Sequence, residues 1–123
     1  MMFDKIKILL FSKEKAANLS STLNNGAEIQ LVSNQFSFTE GPASDRFGNV
    51  YFTDQPNDKI YFWDWKTNKI AEFRTGSGRA NGTFFDKNDN LITCSDEKGQ
   101  ILKINKSGIA EILTTDFNGK RLN

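Results

Sequence analysis

Two stretches of the sequence match each other at a constant separation of 41 residues, which is the distance from Glu40 to Asn81. After the last matching position, Ile60 with Ile101, the second copy is two residues shorter than the first in a predicted turn. Surface loops tolerate such deletions. A repeat of this length must fold as successive copies of one supersecondary unit. The matching pairs are Glu40-Gly41 with Asn81-Gly82, Asp45 with Asp86, Asn49 with Asn90, Val50-Tyr51 with Leu91-Ile92, and Ile60 with Ile101.

Each copy contains four short stretches rich in aromatic and β-branched residues, separated by Gly, Asn and Asp residues that favour tight turns. A period of about 40 residues with four antiparallel strands is typical of a β-propeller blade. We therefore predict an all-β fold, a partial β-propeller with two four-stranded blades at about 36–75 and 77–116. The predicted strands of the first blade span 36–44, 49–53, 59–63 and 69–74.

The same separation, applied backwards, places residues 29–32 over the last strand of the first copy. We therefore predict a lone outer strand at 28–32, before the two blades, and the start of a third blade at 120–123. The propeller part then spans 27–123, and residues 1–26 form a leader or a short helix outside the repeat. These boundaries predict a propeller that stops before a ring of blades can close.

Composition excludes several kinds of chemistry. The 16 basic and 15 acidic residues leave a formal charge of +1 and are scattered, so we expect no nucleic-acid partner. The sequence has no histidine, which excludes a Ser-His-Asp or Cys-His catalytic centre and histidine zinc sites. Any metal site must then use oxygen ligands. Cys94 is the only cysteine, and its place in a predicted strand favours a buried, unreactive thiol.

No membrane partner is expected, because no apolar run approaches the roughly 20 residues needed to span a bilayer. Lys5 and Lys7 precede a short apolar run at 8–11 and imitate the start of a signal peptide. That run is below the usual length of a signal-peptide core, and charged residues follow it closely. A cytoplasmic location is therefore favoured, with a secreted or periplasmic one left open.

Glu40 and Asn81 occupy equivalent positions in the two copies, and each is directly followed by glycine. Equivalent positions of successive propeller blades face the same mouth of the central channel, so these two side chains should be neighbours. Two convergent oxygen-bearing side chains could bind a hard cation. The alternative is that Asn81-Gly82 is a turn and Glu40 a solvated loop charge, and the repeat alone leaves both possibilities open.

An aromatic-rich stretch at 36–38 leads into Glu40-Gly41-Pro42, and residues 78–82 read Gly-Arg-Ala-Asn-Gly. The first segment, together with the turn and strand that follow it to residue 54, resembles the first blade of the gluconolactonase family. That family includes the senescence marker proteins and the luciferin-regenerating enzymes. The second segment resembles the second blade of its bacterial gluconolactonase-like branch, and the resemblance covers about residues 28–123.

The resemblance implies a six-bladed propeller that binds one divalent cation, commonly Ca²⁺, at the channel mouth and hydrolyses sugar lactones. On this basis Glu40 is expected to be a metal ligand, and Arg79 and Asn81 are expected at the substrate rim. The other metal ligands and the carboxylate that activates water are expected in later blades, so no catalytic residue is assigned. With two blades only, the 123-residue chain by itself is expected to be inactive.

Two other functions remain open on the sequence. A propeller part without catalytic activity could bind a ligand or a protein through the same mouth. Alternatively, three copies of the chain could assemble into six blades. Self-assembly is the less favoured possibility, because three N-terminal segments and three lone outer strands would have to be accommodated.

Overall fold

The computed structural model describes residues 26–122, so most of the predicted leader, residues 1–25, and Asn123 lie outside the described residues. The chain divides into two compact units, Met1–Leu31 and Val32–Asn123. In the first unit, the described residues 26–31 contain no helix or strand, and all ten described strands lie in the second unit. No helix in the described part of the chain is long and apolar enough to cross a bilayer.

The second unit contains two four-stranded antiparallel sheets, each built from consecutive strands in chain order. This confirms the predicted all-β fold with two blades. In the first blade the first strand begins three residues later than predicted, and the other strand ends agree to within one residue. Sheet 1 consists of β1 (Thr39–Ser44), β2 (Val50–Asp54), β3 (Lys59–Asp64) and β4 (Lys69–Thr75). Sheet 2 consists of β5 (Ala80–Phe85), β6 (Leu91–Ser95), β7 (Gln100–Ile104) and β8 (Ala110–Thr114). A short hairpin follows, with β9 (Asp116–Phe117) and β10 (Lys120–Arg121).

The first hairpin turn of each sheet is organised by one aspartate. The carboxylate of Asp45 accepts hydrogen bonds from the N–H groups of Phe47 at 2.8 Å and Asn49 at 2.9 Å. Asp86 does the same in the second sheet, with the N–H groups of Asn88 and Asn90 both at 2.8 Å. A side-chain oxygen that satisfies two turn amides stabilises the reversal of the chain, so the Asp–Asn spacing found in the sequence fixes both hairpins.

The hydrophobic core lies between the two sheets. Side chains alternate along each strand, so one face of each sheet packs against the other sheet. We call these the inner faces and the opposite ones the outer faces. Tyr51 lies in this interface with its ring edge-on to Phe73 and Phe85, at centroid distances of 5.0 and 4.9 Å. The buried apolar residues are Ile60, Ala80, Leu91, Leu102 and Ile104.

Residues 28–32 do not form the predicted outer strand. A strand is stable only when its backbone N–H and C=O groups pair with a neighbouring strand, and residues 28–32 pair with none of the described strands. Residues 120–121 do form a strand, β10, but its partner in the structure is β9. That this segment begins a third blade stays a prediction.

The expectation of a buried thiol at Cys94 is wrong, because the side chain is exposed. Cys94 is the repeat equivalent of Thr53, which lies on the inner face of sheet 1 and is fully buried. The equivalent face of sheet 2 is its outer face, and no sheet among the described residues packs on it. The repeat therefore predicted the strand correctly, while burial depended on the neighbouring sheet.

Candidate functional site

The first strands of the two sheets, β1 and β5, lie side by side and place Glu40 next to Asn81. The buried hydroxyl of Thr53 lies 3.1 Å from the main-chain carbonyl oxygen of Glu40 and 3.4 Å from that of Asn81. One hydroxyl hydrogen thus points into the narrow space between the two strands. The main chains of Glu40 and Asn81 are therefore adjacent, whereas the convergence of their side chains and their functional roles remain predictions.

Both of these strands are irregular at the candidate site. The pairing register of β1 shifts between Glu40 and Ala43, and that of β5 shifts between Ala80 and Thr83. Such bulges leave some backbone carbonyl groups without a hydrogen bond to the paired strand, and they redirect the neighbouring side chains. Threonine hydroxyls donate to the carbonyl groups left over: Thr53 to Glu40 at 3.1 Å, Thr83 to Gly41, and Thr93 to Gly82 at 3.0 Å. The bulges are therefore a stable part of the fold.

The Glu40 side chain is half-buried and borders a groove of about 310 Å³ on the outer face of sheet 1. Among residues 26–122, no hydrogen bond or ion pair reaches its carboxylate. In contrast, the side-chain oxygen of Asn81 accepts a 2.6 Å hydrogen bond from the N–H of Gly82, and Asn81 does not line the groove. With respect to the described residues, the Glu40 carboxylate therefore keeps its full acceptor capacity, and the Asn81 side-chain oxygen keeps part of it.

Arg79 lies in the connection between the sheets, two residues before Asn81. Its backbone is left-handed, with φ 55°, and its N–H donates a 2.7 Å hydrogen bond to the carboxylate of Asp58. The same carboxylate oxygen accepts a 2.9 Å hydrogen bond from the hydroxyl of buried Ser77. The backbone of Arg79 is therefore held firmly, while its exposed guanidinium has no hydrogen-bond partner within the described chain.

Thr53, Asp58 and Ser77 support the candidate site and were not identified from the sequence. Thr53 reads as an ordinary β-branched strand residue, and Asp58 and Ser77 read as polar residues of turns. Thr53 and Ser77 stand out only through their burial in the structure, since a fully buried Ser or Thr hydroxyl needs a hydrogen-bond partner. Burial follows from the packing of the second sheet, which local sequence patterns do not report.

The donor set fits part of a hard-cation site. Carboxylate oxygens are ligands that Ca²⁺ takes in proteins, and Glu40 supplies two of them at the groove, whereas Asn81 does not line it. Ca²⁺ normally takes about six to eight oxygens, so two donors do not complete its coordination. Within residues 26–122 there is no cluster of three or more acidic, Cys or His side chains. The described residues therefore fit the cation as contributors to its site.

Two four-stranded antiparallel sheets that pack face to face, with their first strands adjacent at one site, define the chain as a partial β-propeller. The solved structures similar to it include a gluconolactonase from Xanthomonas campestris, at 22% identity and TM-score 0.69. They also include a protein assigned as a gluconolactonase, at 27% identity and TM-score 0.72. The resemblance to gluconolactonases that the sequence predicts is thus confirmed by structural similarity.

These matches cover 75% and 80% of this chain but 31% and 34% of the two gluconolactonase chains. The chain therefore spans about a third of the length of the structures it matches. A streptogramin B lyase is also similar, at 23% identity and TM-score 0.56, over 65% of this chain and 27% of its own. No protein-family profile and no curated protein sequence matches the chain. Because a lyase shares the fold, the fold by itself does not determine the reaction.

Proposed function

We propose that the chain supplies two blades of a divalent-cation-dependent sugar-lactone hydrolase, in which Glu40 is a cation ligand. The observation that carries the proposal is the position of the Glu40 carboxylate. It is half-buried at the groove on the outer face of sheet 1 and has no partner among the described residues. The similarity to gluconolactonase structures supports the reaction class.

In this proposal the two blades supply oxygen ligands and part of the substrate rim. Glu40 provides charged oxygens to the cation and Asn81 belongs to the substrate rim, and the Thr53 hydroxyl lies between the main-chain carbonyl groups of these two residues. The exposed guanidinium of Arg79 is suited to bind the hydroxyl or carboxylate oxygens of a sugar-derived substrate. A bound cation would supply Lewis-acid polarisation of the lactone carbonyl. The remaining ligands and the general base are assigned to other blades.

The cation site can be tested without turnover. Mn²⁺ titrated into the ¹⁵N-labelled chain should broaden the amide signals of residues 39–41 and 80–82 first, because paramagnetic relaxation detects even weak, partly coordinated binding. Glu40→Gln keeps the size of the side chain but removes its charge, so it should abolish this selective broadening. Glu97→Gln, at an exposed turn, is the matched control and should leave it intact. Uniform broadening in all three proteins would contradict the proposal.

The reaction is tested separately, on a polypeptide that carries further blades encoded in frame with these 123 residues. Hydrolysis of glucono-δ-lactone should require a divalent cation. Glu40→Gln should lower kcat/KM at least about 100-fold, comparable to the loss of one strong electrostatic contact in a transition state. Turnover that persists in the presence of a chelator, or that Glu40→Gln leaves unchanged, would rule out this role for Glu40.

A further inference from the structure

Asp54 has the most buried carboxylate among the described residues, and it has no ion-pair partner there. The residue is 1% exposed, and none of the ion pairs within residues 26–122 includes it. A carboxylate that is buried without a cation is stable only when several N–H groups donate hydrogen bonds to it. The groups that donate to Asp54 therefore show which part of the chain it holds in place.

The donors to Asp54 come from both sides of the β1–β2 hairpin. The N–H groups of Ser37 and Phe38 lie 3.2 and 3.1 Å from its Oδ1 atom. The side-chain amide of Asn57 donates to its Oδ2 atom at 2.8 Å and to the hydroxyl of Ser37 at 2.9 Å. The N–H of Gln55 donates to the carbonyl oxygen of Phe38 at 3.3 Å. Asp54 and its neighbours therefore fix the chain immediately before β1.

We call residues 36–38 the entry segment, because they lead into β1. The ring of Phe36 lies edge-on to Phe52 and Tyr61, at centroid distances of 5.0 and 4.9 Å, and so covers part of the outer face of sheet 1. Phe36 and Glu40 both line the groove on that face. The entry segment is therefore one wall of the groove at which the candidate ligand lies.

The entry segment and Glu40 are separated by one residue, Thr39. Thr39 pairs with Asp54 itself between β1 and β2, and the hydroxyl of Thr53 lies 3.1 Å from the carbonyl oxygen of Glu40. Two consecutive residues of β2 thus hold the main chain before Glu40 and at Glu40. A displacement of the entry segment would move the backbone from which the Glu40 carboxylate extends.

The repeat shows how much of this contact depends on Asp54. In sheet 2 the equivalent segment, residues 77–79, is held by two side chains. Ser95, the equivalent of Asp54, donates to a carbonyl oxygen of that segment at 2.9 Å. Asp58, from the connection before β3, accepts a 2.7 Å hydrogen bond from the N–H of Arg79. No described sheet precedes sheet 1 to supply a second side chain, so Asp54 has both roles there.

We propose that Asp54 is a positioning residue, which holds the entry segment so that the Glu40 carboxylate stays at the groove to bind a cation. This inference rests on the proposed function, because the position of Glu40 matters only if Glu40 is a cation ligand. A ligand that is already held in place loses less conformational freedom when it binds. Asp54 acts through the entry segment, since both of its oxygens accept hydrogen bonds from N–H groups.

Asp54→Ala removes the acceptor for the entry segment. Without cation, ¹⁵N relaxation should then show larger motion of residues 37–40 on the ps–ns timescale. The apparent Mn²⁺ dissociation constant, taken from the selective broadening at residues 39–41, should rise about tenfold, which is typical for the loss of a residue that supports a metal ligand. Urea denaturation defines conditions in which each variant is folded.

Asp45→Ala is the matched control. It removes the same charge from the same sheet, and Asp45 likewise accepts hydrogen bonds from two N–H groups, but it does so where β1 ends. The motion of residues 37–40 and the Mn²⁺ affinity should stay close to those of the original chain. Equal losses of Mn²⁺ affinity in Asp54→Ala and Asp45→Ala would show that Asp54 contributes only to general stability, and would overturn the proposal.

Asp54→Asn keeps the proposal testable if Asp54→Ala does not fold. Its remaining oxygen can still accept from the entry segment, while its NH₂ group cannot accept from Asn57. The Mn²⁺ affinity should therefore fall in the same direction by a smaller factor, and Asp45→Asn should leave it unchanged. The proposal fails if every folded Asp54 variant keeps the affinity of the original chain, although the cation site then stands. The absence of selective broadening in the original chain would instead refute the cation site, and this inference with it.

Discussion

Gly41 and Asn81 approach so closely that a Cβ atom at residue 41 would lie 1.8 Å from the carbonyl oxygen of Asn81. The two first strands of the sheets therefore meet at a point where only glycine fits. Gly41 also has φ of +56°, a conformation that residues with a side chain adopt only with strain. This close approach is what brings Glu40 and Asn81 together at the candidate site.

Gly41→Ala should strongly destabilise the fold. The new methyl group must displace the backbone of β5, and the left-handed conformation adds strain, so a loss of about 3 kcal/mol or more in the free energy of unfolding is expected. Gly82→Ala is the matched control, because a Cβ atom added at residue 82 would have no neighbouring atom within 4 Å. That change should stay within about 0.5 kcal/mol. Urea denaturation of the three proteins measures both effects, and equal midpoints would contradict the described contact.

Thr53→Val should destabilise the contact between the sheets. Valine has nearly the same shape, but it cannot donate to the carbonyl oxygen of Glu40, which then lacks this hydrogen bond. A loss of about 1 to 3 kcal/mol in the free energy of unfolding is expected. Thr53→Ser keeps the hydroxyl and should retain more of the stability than Thr53→Val. The opposite ranking in urea denaturation would show that the methyl group, rather than the hydroxyl, matters at this position.

Ser77→Ala should weaken the connection between the two sheets. The buried Ser77 hydroxyl donates to Asp58 at 2.9 Å and accepts from the N–H of Ala80 at 3.1 Å. Its removal leaves a buried N–H group without this partner, which costs about 1 to 3 kcal/mol. Ser107→Ala, in an exposed turn, is the control and should change the stability by less than about 0.5 kcal/mol. Thermal or urea unfolding of both variants checks the difference.

The stability should fall in acid partly through Asp86. The side-chain amide of Asn90, followed by the N–H groups of Asn90 and Asn88, lowers the pKa of the Asp86 carboxyl below its ordinary value of 3.8. A carboxyl whose pKa is lower in the folded state stabilises the fold at pH values above its unfolded pKa. That contribution is lost as the pH falls through the folded pKa, so the loss begins below about pH 4.

Asp86→Asn tests this assignment, because an amide does not titrate. The free energy of unfolding of this variant should depend less steeply on pH below about pH 4 than that of the original chain. Asn90→Ala removes the main donor while keeping the carboxylate, and it should also reduce the acid dependence. Identical slopes in all three proteins would show that Asp86 is not a source of the acid sensitivity.

Much of the fold could be predicted because its signals are local or repeat at a fixed distance. The alternation of apolar residues and the Asp–Asn turns located the strands of both blades, and the repeat placed Glu40 beside Asn81. The strand proposed for residues 28–32 was wrong, because an apolar segment becomes a strand only when a partner strand accepts its backbone hydrogen bonds. The prediction that Cys94 is buried was wrong for a related reason, because Thr53 has a neighbouring sheet packed on it and the equivalent Cys94 does not.

The sequence by itself determined the repeat, the four-stranded unit and the turns, because each of these depends on residue types at short or constant spacing. The assignment of Glu40 as a candidate ligand came from the resemblance to the gluconolactonase family. The tertiary structure alone decided which face of each sheet is buried and how the bulges bring Gly41 against Asn81. It also decided that the hydroxyls of Thr53 and Ser77 hold the candidate site in place. These outcomes depend on how two sheets pack, and packing is set by contacts between residues that lie far apart in the chain.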